Sequence, residues 1–388
     1  MIERLLEGAR VVVCLGPGGV GKTTTAAALA VAGAQRGRRV AVLTVDPAAR
    51  LKDALELPEE PGRFHRIPLP EGTPGTLDAI LLDAKGLFDE LVRRLAPNPD
   101  LAENVLRNPV YRNVAGAFAG SDAYMALEQL LDIDADQSFD LIVVDTPPAS
   151  HALELFDAPE RILALLNSRA LEYLAEPVRI LGVATSRFTR GILSAVLEGL
   201  ERMTGLSLLG DISSLATDFA DVAPAFRKRA EAIHTLMRRV DTRYVLLASP
   251  DPHGAQDTVQ FAGNIDEVGI DLDAVVVNRV LEVPTDELPA PSSDPVAVPS
   301  GKGWSATLAR NLVTCSRELE ILQSSQRRVI DSLRAGLADV RRDGARGEIP
   351  EPMWLELPAL FPAPTTLEQI QRLARGFAAP PELAMEWG

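Results

Sequence analysis

Cysteine is scarce: Cys14 and Cys315 are the only two in 388 residues. Two thiols so far apart exclude a disulfide framework and a CxxC metal pair, and both are expected to be buried and reduced. Methionine is scarce as well, at 6 residues, which argues against a methionine-rich groove for apolar peptides, although Leu and Ala can also line one. Basic charge is in deficit. Lys and Arg number 39 against 54 Asp and Glu, a formal net charge of −15. Such a surface suits neither nonspecific nucleic-acid binding nor broad docking on anionic lipid, because both need a basic face. No uncharged apolar run reaches membrane-spanning length. Glu3 and Arg4 precede the first strand, so no secretory segment is expected and the chain reads as cytoplasmic. His65, His151, His234 and His253 are scattered without metal-ligand spacing. Trp304, Trp354 and Trp387 read as packing residues, and Arg227-Lys228-Arg229 as a solvated helix face.

What the chain has is a glycine loop with a purpose. Residues 16–24 read Gly-Pro-Gly-Gly-Val-Gly-Lys-Thr-Thr, which satisfies the Walker A pattern at Gly16, Gly21, Lys22 and Thr23. Small residues at Gly16, Gly18, Gly19 and Gly21, with Val20 between them, let successive backbone N–H groups curl around phosphates. Lys22 is spaced to reach the β and γ oxygens, and the Thr23 hydroxyl to bind Mg²⁺. Thr24 follows in the first turn of a helix whose positive end faces the anion. The context is right: Val11-Val12-Val13-Cys14-Leu15 reads as a buried strand, and residues 22–36 as an alanine-rich helix ending near Gly37.

Apolar β-rich runs recur along the chain with helical stretches between them. Strands are predicted at about 10–15, 39–45, 77–82, 139–145, 243–249, 272–279 and 352–357. This alternation predicts an α/β fold, a doubly wound and mainly parallel sheet in one domain spanning 1–388. Two intervals, 84–132 and 151–240, are dominated by helical pattern and predict an inserted helical subdomain above the strand C-termini. Its stretch 177–216 is rich in Leu, Ile, Val and Ala. Residues 282–303, with five prolines, read as a long loop, and about 305–342 as a helix rich in Arg and Leu.

Two more carboxylates belong with the glycine loop. Val40–Val45 delivers Asp46 to a strand C-terminus, and Leu141–Val144 does the same for Asp145. Ligands of open parallel sheets bind at that edge. Asp145, followed by Thr146-Pro147-Pro148, suits a Walker B aspartate holding Mg²⁺ through water. Asp46 is better placed to orient an attacking water and to join the same shell. ATP and Mg²⁺ are the expected cofactors, and ATP hydrolysis the expected reaction.

The glycine loop, Asp46-Pro47-Ala48 with Leu51 and Asp53-Ala54, and Asp145-Thr146-Pro147-Pro148 with His151 resemble the anion-pump (ArsA-like) ATPase family. That family includes arsenite-efflux ATPases and ATPases that target tail-anchored membrane proteins. Tyr124-Met125-Ala126-Leu127-Glu128 resembles its bacterial, single-P-loop branch. The resemblance implies that 46–54 and 145–156 are switch segments and that Asn278 reads the adenine edge. It also implies that Leu357–Pro362, with Pro358 and Phe361, covers the adenine ring. A dimer is implied too, either a homodimer or a heterodimer with a paralogous ATPase, acting on a protein or hydrophobic client.

Three departures qualify the likeness. The family's loop usually carries, as its second residue, a lysine that reaches a partner's phosphates; here Pro17 stands there, leaving Arg50 or a partner to supply that cation. The zinc-holding CxxC of the eukaryotic members is missing, and so are the thiolates that bind arsenite. A partition-type positioning ATPase is a competing reading, but 365–377 carries only Arg372 and Arg375 where a basic amphipathic helix would be needed. A small-molecule kinase is another, and it predicts a dedicated phosphate acceptor.

Overall fold

A computed structural model describes residues 2–45, 52, 55, 57–58, 60–108, 122–147, 149–166, 208–281, 306–343, 351–360, 364 and 366–376. Its strands are β1 Val11–Leu15, β2 Arg39–Thr44, β3 Phe64–Arg66, β4 Thr76–Leu81, β5 Leu141–Asp145, β6 Thr242–Ala248, β7 Ala274–Val280 and β8 Met353–Pro358. They form one sheet in the order β3-β4-β2-β5-β1-β6-β7-β8. All neighbours pair in parallel except β3, which runs antiparallel to β4 at the edge. The glycine loop leaves β1 near the centre, where flanking strands and covering helices bury every residue of Val11–Leu15. Continuous burial explains the unbroken apolar runs.

The seven expected strands are present, each within a residue or two of its predicted ends. The missed strand is β3. Its three residues, Phe-His-Arg, carry no apolar alternation, and its register is held by an ion pair between cross-strand neighbours, Arg66 Nε to Asp78 Oδ1 at 2.8 Å.

Helices cover both faces. One face carries α1 Ile2–Leu6 and α2 Lys22–Gln35, joined near the C-terminus by the helix Leu367–Gly376. The alanines of α2 let it lie close to the sheet, and a Cβ on Gly33 would come within 2.7 Å of Leu141 Cδ2. The other face carries α3 Ala84–Leu95, α4 Pro99–Arg107, α5 Asp122–Asp136, α6 Ala149–Leu166, α7 Leu208–Met237, α8 Pro252–Val268 and α9 Ala306–Asp343, in one continuous core. The remaining helix, Leu367–Gly376, is α10. The described parts of the two helical intervals therefore pack onto the sheet's own core. Most of the apolar stretch 177–216 and the proline-rich 282–303 lie outside the described residues.

Two expectations need correction. Cys14 is buried, but Cys315 is exposed on α9. Arg229 is not part of a solvated face. Its guanidinium turns inward from α7 to Glu128 Oε2 of α5 at 2.5 Å and to Asp132 Oδ1 at 2.6 Å, while Lys228 stays exposed. Glu128 is fully buried and also accepts from Tyr124 Oη at 2.6 Å. Sequence pattern sees three basic residues in a row, but a helix turns each by about 100°, so they need not share a fate.

Candidate functional site

Several of the expected residues lie at the C-terminal edge of the sheet. Lys22 opens α2 directly after the loop and is buried, with 7% of its surface exposed. Its Nζ donates to the Gly16 carbonyl at 2.9 Å and to the Pro17 carbonyl at 2.8 Å, so the ammonium closes the loop on itself. Gly16 lies against β6, where a Cβ would meet the Leu247 carbonyl at 2.6 Å. Gly18 and Gly19 are exposed at the tip, and nothing lies within 4 Å of a Cβ built on either. The loop is thus anchored at its base and open above. Gly21 is the N-cap of α2 at φ 93° and brings no side-chain cap to the helix. The cradle fits an anion that the first-turn N–H groups can hold.

Asp145 ends β5 and is buried between its strand neighbours, Cys14 on β1 and Thr44 on β2. Thr44 Oγ1 donates to Asp145 Oδ2 at 3.2 Å. The segment after it is pinned too, because Thr146 Oγ1 donates to the Cys14 carbonyl at 2.6 Å. Burial and then the Asp145 carboxylate push the Cys14 thiol far above its ordinary range, against the pull of Lys22. Cys14 is therefore an inert thiol that packs beneath the loop. Asp251 also sits at this edge, but its oxygens are engaged: it caps α8 through Gly254 N at 2.8 Å and accepts from Ser249 Oγ at 2.5 Å.

Asn278 comes to the loop from β7. Its Nδ2 donates to the Val20 carbonyl at 2.9 Å, and its Oδ1 accepts from Arg279 N at 2.9 Å. A Cβ on Gly21 would fall 2.3 Å from that Nδ2, so the amide occupies the space a side chain would need. Pro358, at the end of β8, is the register partner of Val280, and Ala359 N donates to the Val280 carbonyl at 2.8 Å. Thr23 and Thr24 lie half-buried in the first turn of α2. Asp46, Arg50 and Phe361 lie outside the described residues, as does the side chain of His151. Thr44, Arg279 and Gln326 (whose contacts follow below) were not foreseen. Thr44 alone had a signal, as a polar residue near the end of the apolar run that precedes Asp46.

A glycine loop between the central strand of a mainly parallel sheet and a helix, with an aspartate ending the next strand, defines a P-loop NTPase of the α/β class. The family model for anion-transporting ATPases matches residues 9–291, and the chain belongs to that family. It is an ATPase by that membership. An ATPase ASNA1 homolog of Trypanosoma cruzi is 26% identical over 300 residues, covering 70% of this chain and 74% of its own. The ATPase get3 of Neurospora crassa is 27% identical over 282 residues, covering 72% and 74%. An uncharacterized protein of Streptomyces coelicolor is 29% identical over 283 residues, covering 71% and 64%. Among the described residues no helix is long and apolar enough to cross a membrane.

Proposed function

We propose that the chain is a dimeric, Mg²⁺-dependent ATP switch whose nucleotide state governs binding of a protein or hydrophobic client. The observation that supports this most is that Lys22 and Asn278 meet on one open glycine loop, with Asp145 paired to Cys14 on the strand that leads into it. Lys22 would exchange its two carbonyl partners for the β and γ oxygens, and the loop N–H groups of Gly18 to Thr24 would surround the phosphates. Mg²⁺ would neutralise phosphate charge, held by the Thr23 hydroxyl and, through water, by Asp145 and Asp46. Among the described residues no group of three or more His, Cys, Asp or Glu could hold a metal ion by itself. The remaining ligands of such an ion would then be phosphate and water, the usual state of nucleotide-bound Mg²⁺.

Asp46 is assigned to orient the attacking water. Asn278, with Pro358 and Phe361, is assigned to the adenine. After its bonds to Val20 and Arg279, its amide keeps one N–H and one lone pair for a base edge. The helices within 84–132 and 151–240 are assigned to a subdomain that carries the client, and the second protomer to a copy of this chain or a paralogue.

Purified chain supplied with MgATP and no acceptor should release ADP and phosphate in equal amounts. ADP release that needs an added small molecule would favour the kinase reading instead. Asp46→Asn should keep ATP binding and slow hydrolysis by about 10²-fold. A wild-type rate in that variant would remove Asp46 from the site. Proteins that copurify in ATP but not in ADP would identify the client, and identical sets in both states would overturn the switch.

A further inference from the structure

We propose that Gln326, on α9, is a positioning residue for the nucleotide site and acts through the bulge at residues 278–281. The proposal rests on the reading that the glycine loop binds nucleotide. β7 leaves regular pairing with β8 between Val277 and Val280, and within that interruption Arg279 adopts φ 64°. A side chain other than glycine is uncommon there and persists only where its surroundings hold it. Here side-chain amides hold it from two sides. Gln326 Oε1 accepts from Leu281 N at 2.8 Å, and Gln326 Nε2 donates to the Arg279 carbonyl at 3.2 Å. From the strand side, Asn278 Oδ1 accepts from Arg279 N at 2.9 Å.

The bulge in turn decides where Asn278 stands. Its Nδ2 meets the Val20 carbonyl at 2.9 Å and fills the space beside Gly21. No hydrogen bond joins Gln326 to Asn278, so the link runs through the backbone of 279–281. A donor and an acceptor at fixed spacing are both needed, and that explains an amide at this position. Glu would keep the Leu281 bond but face the Arg279 carbonyl with a second oxygen, and Leu would keep neither. The long helix is thus linked to the glycine loop through the backbone of 279–281 and Asn278.

Three variants test this: Gln326→Leu, Gln326→Glu and Asn278→Ala, together with the double variant Gln326→Leu/Asn278→Ala. In the nucleotide-free protein, amide hydrogen exchange across 16–22 should be about tenfold faster in Gln326→Leu, because the loop loses its held partner. This readout needs no nucleotide, so it survives even if the nucleotide reading fails; a wild-type chain that binds no ATP would show that separate failure. With ATP, Gln326→Leu should raise KM by about three- to tenfold and leave kcat within about twofold. The double variant should be no worse than Asn278→Ala alone, since both act at one place. Unchanged loop exchange and KM in Gln326→Leu, or losses that multiply in the double variant, would overturn the proposal. Should Gln326→Leu melt below the wild type, Gln326→Glu carries the same comparison, with a smaller effect expected because the Leu281 bond remains.

Discussion

Gly21 and Gly18 sit three residues apart in the same loop, yet replacing them with alanine should have very different consequences. At Gly18 nothing lies within 4 Å of an added Cβ and the residue is exposed. Gly18→Ala should therefore change the stability of the nucleotide-free protein by no more than about 0.5 kcal/mol. At Gly21 two costs combine. The left-handed backbone at φ 93° penalises any Cβ, by about 1–2 kcal/mol. The added carbon would also lie 2.3 Å from Asn278 Nδ2, a separation that real structures do not tolerate, so the amide must leave the Val20 carbonyl. Losing that buried bond adds about 1 kcal/mol, for a total near 2–3 kcal/mol. Urea titration without nucleotide would measure both variants. Repeating Gly21→Ala in an Asn278→Ala background isolates the second term, because the obstructing amide is gone and only the backbone cost remains. If Gly21→Ala proved as mild as Gly18→Ala, or if its cost were unaltered by removing Asn278, the apposition of β7 and the loop would be refuted.

Lys22→Ala should abolish detectable ATP binding by calorimetry while the chain stays folded, since the loop loses its cation but none of its strand packing. Arg229→Met should destabilise by about 3 kcal/mol in urea titration, because Glu128 is left buried without its cation, and adding Glu128→Gln should recover much of that loss. Arg39, through side-chain and backbone hydrogen bonds, holds the Asp140 carboxyl down from 3.8 to about 2. A depressed carboxylate contributes stability above its unfolded value and loses it as the pH falls, so the pair's contribution should fade between about pH 4 and pH 2. Asp140→Asn should flatten the urea midpoint over that window, and a slope equal to the wild type's would show that the pair is not held.

Much of the site could be read from the sequence, for a physical reason. A phosphate loop works through backbone N–H groups, so glycine, lysine and threonine must fall at fixed spacing, and spacing survives in a linear string. β1, β2 and β5 were legible because strands buried on both faces leave continuous apolar runs, which in β2 and β5 end in a polar residue. β3 was not legible, because three residues held by Arg66 and Asp78 carry no period. Arg229 was misjudged because its partners, Glu128 and Asp132, are 97 to 101 residues away on another helix. Gln326 had no signal at all. Its role depends on a bulge 45 residues upstream, and nothing local in the helix distinguishes it from other half-buried glutamines.

The departure at Pro17 takes on a different meaning once its surroundings are known. Resemblance leads one to look there for a lysine that points outward to a partner. Pro17 is instead buried, and its carbonyl accepts from Lys22 Nζ at 2.8 Å. Proline fixes φ near −65° and brings no N–H, so this position constrains the loop and withholds a donor from the anion. A long cationic side chain would have to leave that buried place to point outward. Within 16–24 Lys22 is the only cation, held by the Gly16 and Pro17 carbonyls. The loop is thus ordered by its own lysine and by Asn278, at its two ends. What Pro17 contributes is a preset loop shape, and any cation beyond Lys22 must come from outside residues 16–24.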